Sequence, residues 1–190
     1  MADYTIGVDS NPYHGLTDGG ATAPEIQYFQ ETTCASTAVI KRGDIVASDT
    51  LVSTLAYRIV RAPAGGGNGT NLLLTNAIIG VAVEGSTSDG STTGLSNVNN
   101  RLIGVIPARQ NTQFVGYLSA GASDMSMVGT QKAIRYDSTN HVYMVDSTNS
   151  TAALVTVKQT GIPEGTEGDT NGPIYFKFLS SNVYLGSVTV

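Results

Sequence analysis

Apolar residues along this chain fall in short runs separated by polar, glycine-rich stretches. The most continuous run is Ile78-Ile79-Gly80-Val81-Ala82-Val83. It is short, rich in β-branched side chains and closed by Glu84-Gly85-Ser86, the pattern of a strand buried on both faces. Leu102-Ile103-Gly104-Val105-Ile106-Pro107 repeats the pattern beyond the polar stretch 85–100. The two runs are expected to form the centre of one core, with Ile79, Val81, Ile103 and Val105 buried. A glycine inside a strand weakens it intrinsically and marks a bulge or a close backbone approach, so Gly80 is expected to be one or the other.

The remaining runs are of the same kind. Ile26-Gln27-Tyr28-Phe29-Gln30 and Ala38-Val39-Ile40-Lys41 read as strands, and Gly43-Asp44 is a turn leading into Ile45-Val46-Ala47. Tyr57-Arg58-Ile59-Val60-Arg61 alternates with period two. Gly65-Gly66-Gly67-Asn68-Gly69 is a loop, and strands are expected at residues 113–118, 132–136, 141–145, 153–158 and 174–178. Ile174, Phe176 and Phe178 face one way, into the core. Residues 137–140 form a hairpin-length link. Shorter strands follow at 183–185 and 188–190. No stretch sustains the spacing of an amphipathic helix over three turns, and residues 119–129 read as a loop or one short helix. Short strands spaced by turns predict an all-β protein, a compact barrel- or sandwich-like body over residues 25–190.

Residues 1–24 depart from this pattern. Tyr4, Ile6 and Val8 alternate as in a lone strand, and a turn-rich stretch with Tyr13 and Leu16 follows. The segment is too poor in apolar residues to form a core and richer in them than a linker needs. Two readings compete, a disordered segment and an extended N-terminal arm that orders against a partner; the arm is the one expected, with Tyr4, Ile6, Val8 and Tyr13 carrying the contact.

Composition narrows the function classes. The chain has 190 residues, of which 13% are charged, with 22 glycines and a net charge of -5. A body of this size buries enough surface to fold without disulfides, and Cys34, the single cysteine, has nothing to pair with. The acidic balance and the lack of any basic cluster beyond pairs such as Lys41-Arg42 disfavour nucleic acid as a partner. No apolar run is long enough for a membrane-spanning helix, and no secretory signal is expected.

Candidate chemistry is sparse. Arg42-Gly43-Asp44 matches the tripeptide read by adhesion receptors, but between β-branched residues it reads as a turn. The glycine loop at 65–69 lacks the Lys-Ser/Thr ending of a phosphate-binding loop. Asn68-Gly69-Thr70 and Asn149-Ser150-Thr151 fit a glycosylation pattern and read as turns. His14 and His141 have no ligand partners at zinc spacing. The loop acids Asp137, Asp146, Glu164, Glu167 and Asp169 do not follow a calcium-loop pattern. No nucleophile elbow is present. The expectation is no catalytic residue, no cofactor and no metal, hence not an enzyme.

One resemblance goes further. The Gly43-Asp44 turn followed by Ile45-Val46, then Tyr57-Arg58-Ile59-Val60, then Ile79-Gly80-Val81-Ala82, resembles the small capsid decoration, or cement, proteins of tailed bacteriophages. The likeness runs plainly over residues 26–83 and in strand-and-turn rhythm beyond. The long N-terminal segment and the insertion at 85–100 depart from the family pattern. The resemblance implies a β-barrel-like body and a homotrimer seated on the outer surface of the virion's capsid. There it would bind the major capsid protein at junctions between capsomers, with no enzymatic activity. The competing class is a carbohydrate- or receptor-binding fibre or adhesin module, for which the 9 tyrosines are the feature of interest.

Overall fold

The computed structural model describes residues 25–31, 40–48, 58–62, 70–71, 77–83, 102–110, 112–137, 142–160 and 168–183. The arm, with Tyr4, Ile6, Val8 and Tyr13, lies outside these residues, as do Cys34, His14, His141 and the loops at 65–69 and 85–100.

The N-terminal strands close on themselves. They are β1 (Gln27–Glu31), β2 (Ile45–Ser48), β3 (Arg58–Arg61), β5 (Ile78–Ala82) and β6 (Leu102–Pro107), and they form a closed barrel in the order β1-β3-β2-β5-β6. The two most apolar strands, β5 and β6, pair directly and antiparallel, with Val81 opposite Ile106 and Ala82 opposite Val105. Pairing of β1 with β6, Phe29 opposite Ile103, closes the ring, and β1 runs parallel to β3.

The remaining strands are β4 (Thr70–Asn71), β7 (Phe114–Tyr117), β8 (Gln131–Asp137), β9 (Val142–Asp146), β10 (Val155–Thr160) and β11 (Pro173–Phe178). They form a 6-stranded sheet along β4-β8-β10-β11-β7, with β9 on β8. An isolated parallel bridge between Leu118 and Val145 brings the end of β7 back to β9. The segment expected to be a loop or short helix is a loop with one 3-10 turn, Met125–Met127, in which Asp124 Oδ1 accepts from the Ser126 N–H at 2.6 Å.

Two cores result, and the continuous apolar runs serve both. Phe29, Ile40, Val46, Ile59, Ile79, Ala82, Ile103 and Val105 fill one cluster, drawn from the barrel and the stretch leading into it. Ile45, Ala47, Ile78, Val81 and Ile106 belong to a second cluster that includes Phe114, Tyr136, Tyr143, Val155, Ile174, Phe176 and Phe178 of the other sheet. Successive residues of a strand point to opposite faces, so a strand between two cores must be apolar at every position. Phe114, Phe176 and Phe178 meet edge-on or offset at centroid distances of 5.3–6.0 Å, the preferred arrangement of aromatic pairs.

Gly80 combines both expectations. The β2–β5 register slips between Val46, opposite Gly80, and Ala47, opposite Ile78. The extra residue lets Ile79 and Ala82, three apart, share one cluster while Ile78 and Val81 share the other. On the β6 side, a Cβ on Gly80 would run into the carbonyl oxygen of Ile106 and lie 2.9 Å from Val105 Cγ1. A second bulge, at Lys158, interrupts the β10–β11 ladder and leaves Lys158 and Gln159 both exposed.

Candidate functional site: an exposed apolar face and a buried carboxyl cluster

The outer face of the β1–β6 pair carries exposed apolar side chains. Tyr28 is 63% exposed, Leu102 58% and Ile26 47%. The register sets Tyr28 opposite Gly104 and Leu102 opposite Gln30, so Tyr28 and Leu102 are diagonal neighbours on one face. Gly104 offers no side chain to cover the tyrosine ring. Ile106, farther along β6, is buried in the inter-layer core, so the second sheet covers one end of this strand and leaves the other open. Glu25, just before β1, and Arg109, just after β6, form an exposed ion pair at 3.0 Å. Among the described residues the barrel strands pair around a closed ring, β1-β3-β2-β5-β6, and leave no strand of it unpaired on one side.

The second feature is buried. Asp44 ends the turn that begins at Lys41, and the turn is sequence-determined: Gly43 adopts φ of 87°, which favours glycine. The Asp44 N–H donates to the Lys41 carbonyl at 3.0 Å, and the Lys41 N–H donates to Asp44 Oδ2 at 2.8 Å. The Asp44 side chain is thus folded inward and the residue is only 3% exposed. Arg42-Gly43-Asp44 is a turn with its carboxyl hidden, a geometry a receptor cannot read.

Around Asp44 the two layers meet. Arg61, at the end of β3, donates from Nη1 to the Tyr136 hydroxyl on β8 at 3.2 Å, and its guanidinium carbon lies 5.0 Å from the centre of that ring. The Tyr143 hydroxyl on β9 donates to the Ala62 carbonyl at 3.2 Å, and the two tyrosine rings are 4.8 Å apart. Burial pushes the Asp44 carboxyl up to about 7, against the pull of the Lys41 N–H and of the Arg61 and Lys41 charges. Burial also raises both tyrosine hydroxyls, that of Tyr143 well above its ordinary value.

Sequence reading treats Asp44 only as a turn residue. The available signal is its place between a glycine turn and an unbroken apolar strand, where no exposed position is left for it. Of the acids expected in loops, Asp137 and Asp146 instead end strands β8 and β9, and Glu164 and Glu167 lie outside the described residues. Asp146 is buried, its Oδ1 accepting from Thr148 N and Oγ1 at 3.0 and 2.8 Å. Asn149, between β9 and β10, accepts at Oδ1 from the Thr151 N–H at 2.7 Å. Among the described residues, no three His, Cys, Asp or Glu side chains are grouped to hold a metal, and no helix is long and apolar enough to cross a membrane. The stretches 43–46 and 79–82 are neighbours. Gly43 N–H donates to the Ala82 carbonyl at 2.8 Å, Ala82 N–H to the Asp44 carbonyl at 2.9 Å, and Ile45 pairs with Val81. Comparison with known protein families, with curated proteins and with solved structures finds no match to this chain.

Proposed function

We propose that this chain is a structural virion protein. On this reading it binds the outside of an assembled phage capsid as a homotrimer and cements it at junctions between capsomers, and it is not an enzyme. The observation that carries the reading is the hydrogen-bonded unit just described: Gly43-Asp44-Ile45-Val46 and Gly80-Val81-Ala82. The residues behind the resemblance lie on the paired strands β2 and β5 of the barrel and are adjacent in the fold. The contact would have two parts. One is the face of Ile26, Tyr28 and Leu102. The other is the arm, with Tyr4, Ile6, Val8 and Tyr13, which precedes β1 in the sequence. An extended arm gains main-chain hydrogen bonds by adding to a neighbour's sheet edge. Stabilisation then requires only that the protein bind the assembled shell in preference to its free parts.

The test is co-sedimentation with undecorated, expanded shells of tailed phages, with light scattering of the free protein. Shell binding by the wild type is expected, with weakened binding and an unchanged melting temperature for Tyr28→Ser with Leu102→Ser. A trimer in solution, or one formed on the shell, fits. Absence of shell binding across the panel, with specific binding on a glycan array, would replace this reading with the fibre or adhesin module.

A further inference from the structure

We propose that Asp44, Arg61 and Tyr136 form a proton-sensitive joint between the barrel and the six-stranded sheet, in which gain or loss of one proton at Asp44 changes how firmly the two layers are held. The inference is independent of any role on a capsid. It rests on three placements. Asp44 is buried at the start of β2. Arg61 sits on the adjoining strand, with Val46 paired to Arg61 and the Ala62 N–H donating to the Ile45 carbonyl at 2.8 Å. Arg61 reaches across the layers to the Tyr136 hydroxyl and ring. One guanidinium therefore serves both layers.

The groups around the carboxyl come from every side of it. Lys41 lies on its own turn, Arg61 on β3, Tyr136 on β8 and Tyr143 on β9, with Asp137 acting on Tyr136 from beyond. The Tyr143 proton is committed to the Ala62 carbonyl. When Asp44 is neutral, it exerts no net charge on Arg61, which holds Tyr136. When Asp44 is ionised, a buried negative charge draws the same guanidinium toward the barrel. The carboxyl changes state in the folded protein at about pH 7, because burial raises it. The unfolded chain gives up this proton near the ordinary value of 3.8. The folded value lies above the unfolded one. The stability contributed by Asp44 is therefore complete below the ordinary carboxylate range, declines as pH rises toward about 7 and is constant above it.

The experiment uses the full chain, wild type and Asp44→Asn, melted in steps from acid to mildly alkaline pH. Hydrogen exchange of both native proteins is followed across neutrality. The melting temperature of the wild type relative to Asp44→Asn should fall by roughly 3–5 °C per pH unit from above the ordinary carboxylate range to neutrality, then level off. Exchange of the β8 and β9 amides in the wild type should rise across neutrality beyond the intrinsic rate change, and in Asp44→Asn it should not. Parallel pH profiles for the two proteins would overturn the proposal. So would exchange of the β8 and β9 amides that rises no more than the common fall in global stability requires, since that fall is shared by the whole chain and shows no joint. If Asp44→Asn does not fold, carbon NMR of the wild-type Asp44 carboxyl decides. A midpoint near neutrality, with the Tyr136 ring signals moving in step, supports the joint, and titration in the ordinary carboxylate range refutes it.

Discussion

Gly80→Ala adds a single methyl group where β5 crosses close to the backbone of β6. The new Cβ would collide with the Ile106 carbonyl oxygen, lie 2.9 Å from the carbonyl carbon and 2.9 Å from Val105 Cγ1. Two of these three atoms are backbone, so no rotamer change makes room and the β5–β6 ladder must separate locally. Overpacking of this kind costs about 1–3 kcal/mol. Separation also weakens one or two neighbouring ladder bonds, such as Ala108 N–H to the Ile79 carbonyl, now 2.8 Å, at about 1 kcal/mol each. Alanine restricts the unfolded chain and returns roughly 0.5–1 kcal/mol. The net expectation is a loss of about 2–4 kcal/mol, which for a chain of this length is a drop of roughly 5–15 °C in melting temperature. Thermal melts and urea unfolding of the two proteins measure it, with a lower midpoint and an unchanged slope expected. Gly129→Ala is the control: Gly129 has φ of +81° but nothing within 4 Å of its would-be Cβ, so it bears backbone strain alone, about 1–2 kcal/mol. If Gly80→Ala melts with the wild type, or costs less than Gly129→Ala, close approach is not what glycine is there for.

Phe176→Ala removes a fully buried ring from the Phe114–Phe176–Phe178 group and should cost about 3–5 kcal/mol by urea unfolding; a loss below about 1 kcal/mol would mean that the inter-layer core repacks. Arg109→Ala breaks the exposed ion pair with Glu25 and should change stability by less than about 1 kcal/mol, which the same titration checks. Deleting residues 1–24 should leave the melting transition nearly intact while shell binding falls sharply. A truncated chain that fails to fold would make the arm part of the core, and one that binds at full strength would make it a tail.

Most of the order of strands along the chain was legible because strand signals are local, although Ile40 and Lys41 of the expected strand 38–41 are not in a strand and the two-residue β4 was not foreseen. Runs of β-branched residues and period-two alternation placed β5, β6 and β11 to within a residue of their observed limits. Ile79, Val81, Ile103, Val105, Phe176 and Phe178 are buried as their patterns predict. Gly80 was readable as a site of bulge or close approach, because a glycine amid β-branched neighbours weakens its strand and stands where a side chain would not fit. The Gly43-Asp44 turn was equally plain. What the sequence left open was whether the body is a barrel or a sandwich. That depends on pairings between distant strands: β1 with β6 closes the ring, and β1 with β3 is parallel, and no periodicity encodes either. The same holds for the division of each apolar run between two cores. Alternation shows that both faces are buried, but only the packing of a second sheet on β2, β5 and β6 determines against what. Asp44 is the clearest case. Its turn is written in four adjacent residues, while its burial, its raised proton affinity and the bond of neighbouring Arg61 to Tyr136, 75 positions along from Arg61, exist only in the folded protein.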